Sequence, residues 1–222
     1  GIDTKYFDLK SVTETRKEKL LSSLSIAENA HVILLPARIT SWKGHMIAID
    51  AAHIISQKLP TLNFALLFVG GGEDKNHYLK KLQSKITKLN LINKIIFCGN
   101  LSDMPAVYSI ADVVLSTSIE PEAFGRVSAE ASSMTKPIIS SNHGGSREIV
   151  EDGMTGWLVE PSNAEKLAQK ITEVFNLSQE RKDILGANAR RRIQQKFSLE
   201  KMLNQTLSVY EELLSTKENF NN

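Results

Sequence analysis

Short apolar segments alternate with longer amphipathic segments along most of the chain. The apolar segments, rich in Val, Ile and Leu, predict β-strands at residues 31–37, 63–70, 94–99, 111–116, 137–140 and 156–159. The segments that follow them predict helices at about residues 43–58, 74–90, 102–110, 124–134, 145–151 and 163–175. Because the strands are apolar throughout, we expect helices on both faces of the sheet. The pattern predicts an α/β fold with a doubly wound, Rossmann-like parallel sheet of about six strands.

The C-terminal segment predicts a further helix with one apolar stripe. Its apolar residues recur at helical spacing, at Leu199, Leu203, Leu207, Tyr210 and Leu214. Such a stripe needs a partner surface, and the polar end at residues 217–222 is expected to fray. The basic run Arg190-Arg191-Arg192 with Lys196 fits a solvated helix face or, as an alternative, a contact with anionic lipid headgroups.

Composition narrows the classes of protein that fit this pattern. The 222 residues carry 27 Lys and Arg against 25 Asp and Glu, and the net charge of +2 is far below the basic excess of a dedicated nucleic-acid-binding protein. Cys98 is the single cysteine, so no intrachain disulfide can form, and its apolar strand favours a buried, unreactive thiol. No apolar run approaches the roughly 20 residues of a membrane span. We expect a cytoplasmic location, with peripheral contact to the inner membrane surface as a further option.

Candidate chemistry lies in the loops that follow the predicted strands. In open parallel sheets, ligands bind at the carboxyl ends of the strands, where these loops lead into helices. The loop after the first strand carries Arg38 and Lys43, which are close enough in sequence to hold one diphosphate together. A basic pair of this kind is also common in loops that bind nothing, so the pair needs support from other loops.

The segment after the fourth strand carries the strongest signal. Pro121 and Gly125 flank the predicted start of a helix, whose free N–H groups form a seat for an anion. Glu122 lies just before that start and Glu130 about two turns into the helix, roughly 12 Å further along at 1.5 Å per residue. Because the carboxylates of a retaining hydrolase lie only about 5 Å apart, we expect these acids to contact different parts of one elongated ligand. Each acid alone is also explained as a partner of the helix dipole.

The remaining loops carry weaker signals. Gly99, Asn100 and Leu101 follow the third strand and expose backbone polar groups that suit the edge of a base. The triple glycine at residues 70–72 is not a phosphate-binding loop of the Walker type, because no Gly-Lys-Ser/Thr follows it. The chain has no Asp-x-Asp pair and its five His residues lack the spacing of zinc ligands, so we assign no metal site.

Three spaced motifs are carried by these loops. The first is Arg38 followed by Lys43-Gly44. The second is Glu122-Ala123-Phe124-Gly125 followed by Glu130-Ala131, and the third is Gly144-Gly145-x-x-Glu148 followed by Asp152-Gly153-x-x-Gly156. In this order they resemble the C-terminal, donor-binding half of the retaining GT-B glycosyltransferases, the glycosyl transferases group 1 family. The resemblance covers essentially the whole chain.

The resemblance implies a domain organisation. Residues 1–30 are expected to form a linker and leading helix from a missing N-terminal domain, residues 31–196 a Rossmann-like nucleotide-sugar-binding domain, and residues 197–222 an amphipathic helix with a frayed tail. Together they correspond to one half of a GT-B fold. In this fold the terminal helix often packs back toward the partner domain, so we expect its apolar stripe to be partly exposed here.

The resemblance also implies a role for each matching residue. Arg38 and Lys43 are expected to neutralise the donor diphosphate and Glu122 to face the transferred sugar, and these three are the expected catalytic residues. The expected donor-binding residues are Gly99, Asn100, Leu101, Phe124, Gly125, Val127 and Glu130. Within that set, the loop at residues 99–101 is expected to lie against the base and Glu130 to bond the ribose hydroxyls.

The implied activity is transfer of a hexose from a nucleoside-diphosphate sugar to an acceptor hydroxyl, with retention and without a metal or cofactor. The acceptor, a sugar or a lipid-linked glycan, is expected to bind the missing N-terminal domain, so this chain alone is expected to be inactive or weakly active. Three alternatives stay open: a non-catalytic nucleotide-sugar-binding module, a nucleotide-sugar epimerase of related fold and a nicotinamide dehydrogenase. The absence of a dinucleotide fingerprint disfavours the dehydrogenase.

Three residues depart from the family pattern. Ala37 stands where a Gly usually precedes the Arg, and Ser132 and Thr135 replace the usual Met and Gly before Lys136. Because a helix-ending position that favours Gly strains a Thr side chain, we expect a strained or reshaped turn at Thr135.

Overall fold

The computed structural model describes residues 1–27, 29–72 and 77–219, with side chains up to residue 215. Its strands are β1 His31–Pro36, β2 Phe64–Val69, β3 Ile95–Gly99, β4 Val113–Ser116, β5 Ile138–Ser141 and β6 Trp157–Val159. Its helices are α1 Glu14–Ser23, α2 His45–Lys58, α3 His77–Lys88, α4 Met104–Ser109, α5 Arg126–Ser133, α6 Ser146–Ile149, α7 Ala164–Phe175, α8 Gln179–Lys196 and α9 Leu199–Asn219.

Six strands form one parallel sheet in the described part of the chain, in the order β3-β2-β1-β4-β5-β6. The central strand β1 pairs with β2, where His31 lies opposite Phe64, and with β4, where Ile33 lies opposite Val113. The chain thus builds the sheet outward from β1 in one direction and then from β4 in the other. The strand order reverses between β1 and β4, and in such sheets ligands bind at the carboxyl edge, in the crevice beside the loops that follow the two strands. The predicted doubly wound parallel sheet is confirmed.

The predicted element bounds agree with the structure to within about two residues for the elements that are fully described. The helix expected from residue 74 is described from His77 onward, and residues 74–76 lie outside the described residues. Of the expected tail at residues 217–222, the last three residues also lie outside them. Cys98 is half-buried in β3, and burial raises the pKa of its thiol to about 11, as expected for an unreactive strand cysteine.

Two apolar layers cover the two faces of the sheet. Alternate residues of β1 point to opposite layers, Ile33 and Leu35 to one and Val32 and Leu34 to the other. Helices α2, α3 and α7 complete the first layer, and α4, α5 and α8 complete the second. Each such side chain stabilises the fold by roughly 1.5–3 kcal/mol when it is fully buried. The two layers together fix the strands, and the loops at the carboxyl edge start from these fixed strands.

The N-terminal segment packs on the second layer. The amide of Ile2 donates to Phe197 O and the amide of Leu199 donates to Ile2 O, both at 2.8 Å, and Phe7 is buried. The Arg190 guanidinium donates to the carbonyls of Phe7 at 2.9 Å and Thr4 at 3.1 Å. This segment is therefore part of the packed unit.

The basic run of α8 is largely structural. Arg190 joins the N-terminal segment to Ser133 and Asp8. Arg192 pairs with Glu151 and donates to the carbonyl of Ile149 at 2.9 Å. Neither side chain is the solvated group expected from the sequence, since each is more than four-fifths buried. Arg191 is the exposed member of the run.

Helix α9 leaves its apolar residues in solvent. The exposed side chains include Leu199, Met202, Leu203, Leu207, Val209, Tyr210, Leu213 and Leu214. The predicted partial exposure of this stripe is confirmed. Among the described residues, no helix combines the length and apolar character that crossing a membrane requires.

Candidate functional site

The loops after β1 and β4 meet at the crevice. Gly44 has a φ of +77°, and a Cβ at that position would lie only 1.9 Å from Thr117 O, so the residue must be glycine for the two loops to touch. The amide of Ile119 donates to Trp42 O at 2.8 Å and closes the contact. Because Lys43 precedes Gly44, this approach carries its side chain to the β4 loop.

Lys43 and Glu122 form an ion pair in the crevice. Lys43 Nζ lies 2.7 Å from Glu122 Oε1, and each side chain is only 14% exposed. The Ser118 hydroxyl donates to the same carboxylate oxygen, and Lys43 Nζ lies 4.0 Å from the centroid of the Trp42 ring. The sequence identified both charged residues, and the structure adds that they contact each other.

Arg38 lies at the tip of β1 and differs from Lys43 in its surroundings. Its side chain is exposed, and within the described residues it makes no hydrogen bond or ion pair. The guanidinium can therefore bind an anion without giving up a partner among the described residues. Lys43, in contrast, must share its charge with Glu122.

Helix α5 begins directly after the β4 loop that carries Glu122. Gly125 is the residue before the helix and supplies no side chain to cap its first turn. The uncapped N–H groups of that turn carry partial positive charge and suit a phosphate or carboxylate. Phe124 packs into the second apolar layer, 6.2 Å from the Phe197 ring in an edge-to-face arrangement, and this packing anchors the helix start. Val127 is half-buried in the first turn.

The loop after β5 holds the backbone of Glu122. Gly144 has a φ of +56°, and a Cβ there would lie 2.5 Å from Glu122 O. The amide of Gly145 donates to the same carbonyl at 2.7 Å. His143 Nε2 lies 2.8 Å from Ser118 O, and since a carbonyl only accepts, this nitrogen is the donor. The third motif therefore supports the second by direct hydrogen bonds.

Glu130 is enclosed by two donors that the sequence analysis did not identify. Its carboxylate is 8% exposed, and it accepts from Tyr108 Oη at 2.8 Å and from Arg126 Nε at 2.5 Å. Burial, and then the nearby carboxylate, raise the pKa of Tyr108 well above its ordinary value, so its hydroxyl stays protonated and donates. A carboxylate has about four lone-pair sites, so two remain for a ligand hydroxyl. Tyr108 belongs to α4 and approaches Glu130 only through tertiary packing, which no local pattern signals.

The expected base-contacting loop lies at the end of β3. Gly99 and Asn100 are exposed and Leu101 is half-buried. Gly99 O accepts from the amide of Gly70 at 2.8 Å, and the Asn100 side chain lies directly against Gly71. The loops after β2 and β3 are thus joined, and the Gly99 carbonyl is already used in joining them.

The structure places Lys43 and Glu122 in direct contact where the loops after β1 and β4 meet. Arg38, Lys43 and Glu122 come from the two loops that meet there, and α5 supplies Gly125 and Glu130. The loop at residues 99–101 lies two strands away, beyond β2. No group of three or more His, Cys, Asp or Glu residues is arranged to hold a metal ion in the ranges 1–27, 29–72 and 77–219.

Comparisons with known proteins agree on one family. The family model of glycosyl transferases group 1 matches residues 16–192. A glycosyltransferase from Rickettsia africae ESF-5 is 38% identical, with a TM-score of 0.91 over 96% of this chain and 56% of that chain. The Anabaena protein Alr3699/HepE, solved in complex with UDP-glucose, is 29% identical, with a TM-score of 0.86 over 96% of this chain and 56% of that chain.

A relative from Bacillus subtilis is similar over a comparable share of the chain. The spore coat protein SA of Bacillus subtilis strain 168 is 28% identical over 218 residues, which are 95% of this chain and 57% of the relative. The chain therefore spans about half the length of the proteins it matches.

Proposed function

The chain belongs to the glycosyl transferases group 1 family, and from that premise we propose that it is the donor-binding half of a retaining glycosyltransferase. The observation that supports this most is the contact of Lys43 with Glu122 where the loops after β1 and β4 meet, with Arg38 on the first loop and the uncapped start of α5 after the second. Three positively polarised groups from two loops fit the diphosphate of a nucleoside-diphosphate sugar. Their fixed positions are maintained by the apolar layers beneath them.

The cationic groups stabilise the leaving group of the reaction, which is the nucleoside diphosphate. When the bond between the sugar carbon and the phosphate oxygen breaks, negative charge grows on the diphosphate and positive charge on the sugar carbon. Arg38, Lys43 and the start of α5 stabilise the diphosphate more strongly as its charge grows. The contacts therefore lower the barrier rather than only tightening donor binding.

Glu122 positions the transferred sugar in this proposal. Its carboxylate is held by Lys43 and Ser118, and its backbone is held by the loop after β5, so it is a fixed hydrogen-bond acceptor. The acceptor oxygen attacks the sugar carbon on the face that the diphosphate leaves, and its proton passes to a phosphate oxygen. No covalent bond to Glu122 forms. Retention then follows from attack and departure on one face.

The remaining contacts fix the nucleoside. Glu130 accepts from the ribose hydroxyls, with Tyr108 and Arg126 holding its orientation. The loop at residues 99–101 lies against the base. The relative solved with UDP-glucose supports a hexose linked to a nucleoside diphosphate as the donor class, and UDP is the first nucleotide to test.

The acceptor belongs to a second domain in this proposal. The chain covers 56% of the Rickettsia relative, and the apolar stripe of α9 lies uncovered by the described residues. An N-terminal domain seated near that stripe supplies the acceptor site, for a sugar or a lipid-linked glycan. The chain alone binds the donor and transfers poorly, in a cytoplasmic location.

Nucleotide binding to this chain tests the proposal. Isothermal calorimetry with UDP, GDP and ADP is expected to show binding of at least one, and Arg38→Ala and Lys43→Ala are each expected to weaken it by roughly 10- to 100-fold, the scale of a lost charged hydrogen bond. Arg191→Ala, which removes an exposed guanidinium on α8, is the matched control and is expected to change nothing. The proposal fails if none of the three nucleotides binds, or if both crevice variants bind as tightly as the unaltered chain.

Product analysis separates transfer from the alternatives. With an N-terminal half supplied and a UDP-hexose as donor, transfer requires an acceptor and retains the configuration at the sugar carbon. An epimerase would change the donor without any acceptor, and a binding module would leave it unchanged.

A further inference from the structure

His45 lies fully buried beneath the loop that carries Arg38 and Lys43. It is the first residue of α2, and its ring packs edge-to-face against Phe68 at 4.9 Å and Tyr78 at 6.3 Å between ring centroids. Two aromatic neighbours and complete burial describe a position that an apolar ring would fill well. A histidine at this position is therefore not explained by packing alone.

The polar atoms of the ring are left without ordinary partners. Within the described part of the chain, neither Nδ1 nor Nε2 makes a hydrogen bond of normal geometry. A buried polar atom without a partner costs folding free energy. Burial lowers the pKa of His45 to about 4, so the ring is neutral at physiological pH and carries one N–H donor.

The Arg38 loop supplies two backbone acceptors beside the ring. The backbone carbonyls of Thr40 and Ala37 lie close enough to His45 to favour its protonated form, although burial outweighs them. These two residues flank Arg38 along the chain. The Thr40 carbonyl also accepts from the amide of Lys43 at 3.2 Å, so it connects the backbone of both cationic residues to the ring below.

We propose that His45 is a positioning residue for the donor diphosphate: its ring N–H bonds to a carbonyl of the 37–40 loop and fixes the backbone that carries Arg38. This inference rests on the proposed function. Hydrogen bonds in unliganded sites are often long and shorten when the ligand is bound. Because the ring nitrogens make no hydrogen bond to the described residues in this structure, the bond forms when the diphosphate orders the loop, and it then holds Arg38 against the diphosphate.

Substitutions on α2 test this role. His45→Phe keeps the aromatic packing and removes the donor, and His45→Gln restores a donor. The control is His53→Phe, the same change eight residues later on the same helix and away from the loop. For each variant, UDP affinity is measured by calorimetry and the thermal midpoint by circular dichroism. His45→Phe is expected to weaken UDP binding about tenfold without lowering the midpoint, His45→Gln to recover part of the loss, and His53→Phe to leave affinity unchanged.

A double-mutant cycle separates positioning from a general structural role. If His45 acts through Arg38, His45→Phe is expected to cost little UDP affinity in an Arg38→Ala background, because the group that it positions is gone. Equal losses in both backgrounds would overturn the inference, as would unchanged affinity in His45→Phe. If His45→Phe does not fold, His45→Leu takes its place, and His45→Gln must then bind UDP more tightly than His45→Leu at an equal midpoint. An unaltered chain that binds no nucleoside diphosphate contradicts the proposed function itself, which is a different result.

Discussion

Lys43 already has an anionic partner, and this changes what each single residue in the crevice is expected to do. The Lys43–Glu122 pair is only 14% exposed on either side, so solvent screens it little. A diphosphate must therefore share the Lys43 ammonium with a carboxylate. The sequence motifs give the identities of these residues but not this competition between them.

Neutralising Glu122 is expected to tighten nucleotide binding and abolish transfer. Glu122→Gln removes a negative charge that lies beside the expected diphosphate, and a gain of about 1 kcal/mol, or about fivefold in UDP affinity, is the scale for a partly buried charge. Calorimetry measures the affinity, and an acceptor assay with both domains measures transfer. Glu120→Gln, the same change at an exposed residue of the same loop, serves as the control. Weaker UDP binding by Glu122→Gln would contradict the shared-cation arrangement.

His45 is expected to make the folded chain less stable in mild acid. Its pKa is about 4 when folded and about 6.5 when unfolded, so between these values the unfolded chain binds a proton that the folded chain does not. Stability attributable to this residue is present above pH 6.5 and is lost as the pH falls toward 4, by about 2–3 kcal/mol at pH 4.5. Urea unfolding of the parent chain and of His45→Gln, each at pH 7.5 and 4.5, measures how much of the pH-dependent free energy of unfolding comes from His45. An equal pH dependence in the two proteins would show that His45 does not titrate in this way.

Among the elements, α5 is followed by a turn with a strained residue, Thr135. Thr135 has a φ of +57°, in the left-handed region, and the amide of Lys136 donates to Ala131 O at 2.9 Å to close the turn. A β-branched residue is poorly suited to this conformation. Of the two outcomes expected for Thr135, strain or a reshaped turn, the structure shows the strain: the left-handed backbone conformation is retained with a Thr side chain.

Replacing Thr135 by Gly is expected to stabilise the chain. The left-handed conformation costs an L-residue roughly 1–2 kcal/mol, and after the larger unfolded-state entropy of Gly about 1 kcal/mol remains as a net gain. Urea unfolding is expected to show a higher midpoint with an unchanged slope. Thr172→Gly, the same change inside α7, is the control and is expected to destabilise the chain, by roughly 0.3–0.5 kcal/mol in helix propensity and further through loss of the hydrogen bond from the Thr172 hydroxyl to Ala168 O. A destabilised Thr135→Gly would show that contacts of the Thr side chain outweigh the backbone strain.

The elements differ in how well the sequence predicts them. Strands β1 to β6 follow from apolar runs with polar or glycine ends, which is a local signal. For helix α8 the sequence indicates only a helical face at residues 190–196 and not the bounds of the helix, because its buried stripe includes the small residues Gly186 and Ala189 and does not stand out as an apolar pattern. The contacts of Glu122 with Lys43 and of Glu130 with Tyr108 depend on how distant elements pack, so the sequence supplies the residues of the site and the fold supplies their pairing.

At the scale of the whole molecule, the apolar stripe of α9 is left uncovered by the described residues. Its side chains, such as Leu207 at 57% and Leu214 at 65% exposed, lie along one helix beside the packed unit. Contiguous apolar surface of this kind marks an interaction site. The stripe is consistent with the proposed second domain, and it gives the isolated chain a way to self-associate.

The isolated chain is expected to associate through α9 at high concentration. Replacing Leu207 and Leu214 together by Glu places charge in that surface and is expected to give a monomer in sedimentation experiments without lowering the thermal midpoint, since neither residue belongs to the apolar layers. Ser208→Glu, an exposed polar position of the same helix, is the control. Association that persists in the double variant would place the contact elsewhere on the surface.

The closed Lys43–Glu122 pair also bears on competition inside a cell, where inorganic phosphate and other small anions are abundant. A crevice in which both Lys43 and Arg38 were uncommitted would attract them indiscriminately, whereas here Lys43 is already paired with Glu122 and of the two only Arg38 lacks a partner among the described residues. A lone phosphate gains one strong contact and must displace a carboxylate for the second. A ligand that also reaches the start of α5 and Glu130 offsets that displacement with further contacts. The Lys43–Glu122 pair therefore makes the crevice bind long anions more tightly than short ones.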